Sequence, residues 1–392
     1  MAEIRTHGAG GKAKLSELLE RRKVGSGSCD EQMPRVLQVI RNTRGDSMAE
    51  HYTSMADDAA LSELKREASM LFSAAEGLLE AGDTEECLRV AESAQAKFIA
   101  LGTAGKDGVT DTLHIIIDVH RLEAYRGHRD PAEAFSLADE HLRKFKKEGD
   151  RRGEATMKLA LAEILTDNVR QGKRREALEP AMAALAIARD FGDKKLEAKC
   201  WIESAFVHFS LNDGDKVLEA AEAALAISEE LGDDLGRAMA LYAAGLSHVR
   251  RRDWDGAVQK ASAAQGLFES LGKQSLAAGV LHTMAIWRLL QGRPKRAAPL
   301  AEQALGLCRQ LDGSFWAQAA VVLTLCEALA EARSPKAALK AAREALERFE
   351  ALGLRREQAV AQEALALGHL AAEAPERAAR SLEAARALAE DL

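Results

Sequence analysis

Along most of this 392-residue chain, apolar positions recur at helical spacing and are broken at regular intervals by short polar or glycine-containing stops. One stop recurs as Leu101-Gly102, Gly149-Asp150, Phe191-Gly192-Asp193, Leu231-Gly232-Asp233, Leu271-Gly272-Lys273, Leu311-Asp312-Gly313 and Leu352-Gly353, with Gly192, Gly232 and Gly272 spaced 40 residues apart. Glycine just past an apolar helical run ends the helix, because it enters the left-handed region without a Cβ clash. Midway between these stops lies a second set of breaks: Gly82-Asp83, Gly127 to Pro131, Gly172-Lys173, Asn212 to Asp215, Arg251 to Asp253, Gly292 to Pro294, Arg333 to Pro335 and Ala374-Pro375. The pattern predicts helix, turn, helix, stop, repeated over 57–103, 104–150, 151–193, 194–233, 234–273, 274–313, 314–354 and 355–392. Four of the seven prolines (Pro131, Pro294, Pro335, Pro375) open the second helix of a unit, where a missing N–H costs little.

Helices that cross closely need short side chains where they touch. A column in the first helix reads Ala75, Leu122, Leu165, Ala205, Gly245, Ala285, Cys326 and Ala366. A column in the second helix reads Cys87, Ala134, Ala177, Val217, Ala257, Ala297, Ala338 and Ala378, and seven residues later Ala94, His141, Ala184, Ala224, Ala264, Ala304, Ala345 and Ala385. Together with Trp201, Trp254 and the runs Ala184 to Ala188 and Ala224 to Ile227, these columns resemble the tetratricopeptide repeat, in the 40-residue variety of Pins-type and kinesin-light-chain-like scaffolds. The resemblance covers 57–392. It implies an all-α superhelical solenoid of about eight antiparallel helix pairs, acting as a non-catalytic protein–protein interaction scaffold or adaptor.

In that family the first helices line the inner surface. The register then implies a partner-binding strip of Lys199, Ile202, Phe206 and Phe209, Met239, Tyr242 and Leu246 (with Val249), and His282 and Ile286 (with Leu289). Large apolar and aromatic anchors of this kind suit a peptide segment or amphipathic helix of a partner. Alanine at Phe206, Phe209 and Tyr242 is expected to abolish partner capture without unfolding the chain. The Lys/Asn/Arg set of chaperone-tail clamps is absent from units four to six. An alternative is a constitutive structural subunit or assembly factor of a larger complex, held through the array ends and the N-terminal extension.

Residues 1–56 break the period. Two short helices, about 15–23 and 34–42, sit among glycines there, predicting an irregular extension that is flexible or docks on a partner. A net charge of −7 argues against a general nucleic-acid binder. No apolar run approaches the ~20 residues of a membrane span. The first 23 residues lack the apolar stretch of a secretory signal, so a cytoplasmic location is expected. The five cysteines form no C-x-x-C pair, which points away from a disulfide framework or zinc site. Of the ten histidines, His208, His248 and His369 share one packing column, and His114 and His120 are six apart rather than four. Gly11-Lys12 lacks the rest of a P-loop, and no nucleophile or dinucleotide motif is present. No catalytic residue, metal or cofactor is therefore expected.

Overall fold

The computed structural model describes residues 48–125, 129–167, 171–311 and 313–390; the expected short helices before residue 48 lie outside these. All regular structure among the described residues is helical. A short helix, α1 (Ala49–Asp57), is followed by eight antiparallel pairs. They are α2 (Glu63–Ala81) with α3 (Thr84–Ala100), α4 (Lys106–Tyr125) with α5 (Pro131–Glu148), and α6 (Arg151–Asp167) with α7 (Gln171–Glu176) and α8 (Leu178–Phe191). Then come α9 (Lys194–Ser210) with α10 (Gly214–Leu231), α11 (Asp234–Arg250) with α12 (Trp254–Ser270), and α13 (Gln274–Leu290) with α14 (Pro294–Gln310). The last two pairs are α15 (Phe315–Glu331) with α16 (Pro335–Ala351), and α17 (Arg355–Ala371) with α18 (Pro375–Glu390). The second helix of the third pair is split into α7 and α8, beside Pro180, whose missing N–H cannot bond the carbonyl four residues back. The described residues fall into two compact units, 48–276 and 277–390.

The Gly-Asp stop does two jobs. At the end of α8, Gly192 takes φ 83°, and the Asp193 N–H donates to the Ala188 carbonyl at 3.1 Å, closing the helix. Asp193 then caps α9, its Oδ1 accepting from the Leu196 N–H at 2.9 Å. Gly232-Asp233 repeats this, with Asp233 accepting from the Gly236 N–H at 2.9 Å. Within pairs of the first unit, Asp83, Asp213 and Asp253 cap the second helices in the same way. The second helices of the other unit open instead on Pro294, Pro335 and Pro375, and at the first two a preset φ takes over from a side-chain cap.

The small-residue columns are buried throughout except at His141, which is half-buried. Two cysteines mark where the columns meet: Cys87 Sγ donates to the Ala75 carbonyl at 3.2 Å, and Cys326 Sγ to the Ala338 carbonyl at 3.3 Å. Residues 49–56, which the pattern assigns to an irregular extension, form most of α1. Its Tyr52 ring is 3.9 Å from Phe72 and 5.6 Å from Phe98, centroid to centroid, so α1 is part of the first unit's core.

Candidate polar cleft on the first helices

First helices α4, α6 and α9 pack side by side. On α4, Asp111, His114, Asp118 and Arg121 recur three or four residues apart, which puts them on one face. On α6, Arg152, Thr156, Glu163 and Asp167 share a face in the same way. The two faces meet through ion pairs. Asp111 is the first junction: its Oδ2 accepts from the Tyr52 hydroxyl at 2.8 Å, and its Oδ1 accepts from Arg152 Nη2 at 2.9 Å. Burial, reinforced by the Asp111 charge, pushes the Tyr52 phenol far above its ordinary range, so it stays a donor. Burial disfavours the charged Arg152, but Asp111 and Asp107 outweigh it and hold its guanidinium above the usual value.

One turn further on, His114 Nε2 lies 3.1 Å from Glu163 Oε2. Arg121 then bridges Asp118 at 3.1 Å and Asp167 at 2.6 Å. From α6 the chain of contacts continues to α9, where the Thr166 hydroxyl donates to Glu203 Oε1 at 2.9 Å. Removing one partner of such a buried pair costs about 3–5 kcal/mol, because the other charge is left uncompensated. His114, Asp118 and Glu163 bring imidazole and carboxylate donors within 4.8 Å of one another, the donor types that suit a divalent cation. Arg121 already supplies a positive charge to that cluster.

At the Asp111 end of this ladder the helices leave a cleft of about 170 Å³. Its polar wall is Asp111, His114, Arg152, Thr156, Asp193, Lys195 and Lys199, and its apolar wall is Met48, Phe72, Leu159 and Leu196. Asp193 reaches it because the capping turn before α9 opens there, its Oδ2 3.7 Å from Arg152 Nε.

Neither a protein-family model nor a curated protein sequence matches the chain. Solved structures do. A signal transduction ATPase with numerous domains, carrying a tetratricopeptide repeat sensor, from Pyrococcus horikoshii matches with a TM-score of 0.53 at 13% identity, over 86% of this chain and 50% of that one. The fold is that of a tetratricopeptide-like helical repeat. The chain thus spans half the length of that ATPase, but it spans nearly all of a second neighbour. This is a Rap protein solved in complex with Competence and Sporulation Factor, matched with a TM-score of 0.53 at 15% identity, over 92% of this chain and 98% of that one.

The tetratricopeptide-like register places Lys199 on the cleft, half-buried. The other residues of the expected strip are buried. Phe209, Tyr242 and Leu246 have no exposed surface, and Phe206, Met239 and Ile202 are 3%, 5% and 8% exposed. Phe206 and Tyr242 are brought together at 6.5 Å between ring centroids. In the other unit, His282 and Ile286 are buried as well, His282 Nε2 lying 2.8 Å from Thr324 Oγ1. Alanine at Phe206, Phe209 or Tyr242 therefore removes core volume, and a loss of partner capture there would not report contact. Helical periodicity alone missed Tyr52, Asp111, Arg152 and Lys195. The signal available was polar: Asp111, His114, Asp118 and Arg121 on one stripe of a helix otherwise rich in isoleucine and leucine.

Proposed function

We propose that this chain is a non-catalytic protein-binding array, with 57–392 as the repeat region and 1–56 as an extension that folds onto it through α1. The partner lies on the first-helix face of the unit 48–276, at the cleft bounded by Met48, just before α1, and by α2, α4, α6 and α9. The observation that carries this reading is the cleft itself. It joins an apolar wall to oriented charged side chains, the mixture that fixes a protein segment in place. The Rap protein, of near-equal length and similar fold, was solved bound to a named factor, and that supports a binding role for the same architecture. A scaffold of this kind hosts many partners, so the site, not the fold, decides.

A photo-crosslinking amino acid placed at Lys195, and separately at exposed Ala263 on α12, tests the face. The full-length chain is expected to crosslink one protein reproducibly from position 195 and not from 263. Crosslinks from 263 alone would show that the second-helix side carries the partner.

A further inference from the structure

A helix pair in a solenoid touches only its sequence neighbours, yet the first and fifth pairs of the unit 48–276 meet. Lys273 Nζ lies 2.9 Å from Glu80 Oε2, across 193 residues of chain, with about a quarter of each side chain exposed. Both residues break the local rules of the array. Asp150, Asp193 and Asp233 close three successive stops, and each accepts from a backbone N–H of the first helix that follows, at 3.0, 2.9 and 2.9 Å. The next stop is Gly272-Lys273, and a lysine has no acceptor with which to cap α13. It also brings a positive charge to a helix N-terminus, where the dipole favours a negative one. Glu80 is the converse, an acid in the last turn of α2, where the dipole favours a cation. Each residue is out of place on its own helix, and each is accounted for by the other. The backbone at both ends is fixed. The Lys273 N–H donates to the Phe268 carbonyl at 2.8 Å, and just beyond Glu80 the Asp83 N–H donates to the Leu78 carbonyl at 3.0 Å. The contact therefore joins two rigid helix ends.

We infer that Glu80 and Lys273 form a clasp that holds the five helix pairs of this unit in a closed turn, and that the turn opens when the pair is broken. The device belongs to the free chain and needs no partner. A partly exposed ion pair shifts such an equilibrium by up to about five-fold, which sets how often the unit opens without fixing it shut.

Zero-length carbodiimide coupling of the full-length chain, read by mass spectrometry, should join Glu80 to Lys273. Opening is read by pulsed electron paramagnetic resonance between nitroxides at exposed Glu85→Cys and Ser270→Cys, with Cys29→Ser, the other four cysteines being buried. The otherwise native chain should give one short, narrow distance. Glu80→Lys should raise the population at longer distances about five-fold. So should Lys273→Asp, which restores the residue of the other stops. Glu80→Lys combined with Lys273→Glu should return the native distribution. Circular dichroism checks the helical content of each variant, and Lys273→Asp, which brings back a capping side chain, keeps the test standing if Glu80→Lys fails to fold. The absence of a Glu80–Lys273 isopeptide from the native chain overturns the inference. So does a distance distribution that charge reversal in a folded variant leaves unchanged, or that the swapped pair does not restore.

Discussion

Gly153 and Gly266 both sit in helices, yet a methyl group added to each meets opposite surroundings. At Gly153 in α6 it would lie 2.6 Å from the Phe145 ring, a contact the closely packed core cannot relieve cheaply. Gly153→Ala is expected to destabilise by about 1–3 kcal/mol. At Gly266 in α12 nothing lies within 4 Å, so Gly266→Ala should stabilise by about 0.5–1 kcal/mol through helix propensity and a less free unfolded chain. Urea titration of both variants decides it, and equal signs would contradict the packing described. Histidine behaviour is also set residue by residue. Burial, with Lys216 nearby, lowers the pKa of His208; burial and Lys144 act likewise on His141, and burial with Arg343, Arg377 and Arg380 on His369. The unfolded chain then takes up these protons near pH 6.5 while the folded chain does not. Stability is full above that pH and declines as pH falls through the lowered folded values. Melting temperatures at pH 7.5 and 5 should differ in that direction, and His208→Gln should narrow the gap.

Most helices of the repeat pairs are delimited by one or two residues, and that makes those elements legible in the sequence. Gly192-Asp193 and Gly232-Asp233 stop one helix and cap the next, and the prolines open second helices as expected. What the pattern does not contain is the strain in some turns. At the break within a pair, Gly292 takes φ 70°, but the equivalent Arg252, Arg333 and Glu373 take φ 57–59° with a side chain attached. A non-glycine residue there costs about 1–2 kcal/mol. Arg333→Gly is therefore expected to raise stability by roughly 0.5–1 kcal/mol after the glycine's own entropy is counted, a shift visible in the melting temperature. Removing the cap at Asp253 by alanine should do the reverse, by about 1 kcal/mol.

For the whole molecule, stability in a repeat array is a sum of local terms, so damage stays near its origin. Tyr52→Ala empties a buried aromatic site against Phe72 and Phe98 and releases Asp111, a loss of about 3–5 kcal/mol. It should split the urea transition, with an early step confined to the N-terminal helices; a single shifted transition would show wider coupling. The same tyrosine explains what the sequence could not disclose about the site. Its partner Asp111 is 59 residues away, and His114 and Glu163 are 49 apart, separations that no local pattern encodes. Phe206, Phe209 and Tyr242 show the converse. An aromatic stripe has the same spacing whether it faces a groove or the next helix, and only the three-dimensional packing separates the two.

The cysteines turn these packing facts into a chemical clock. Burial pushes the Cys200 thiol well above its ordinary range, Cys308 up to about 11 and Cys326 up to about 12. Because the thiolate is the form that alkylates, these groups are silent at neutral pH until their surroundings open. Their modification rates therefore measure opening free energies in the folded protein, Cys200 for the unit 48–276 and Cys308 with Cys326 for the unit 277–390. A partner seated on the first-helix face of one unit should slow Cys200 and leave the other two rates as they were.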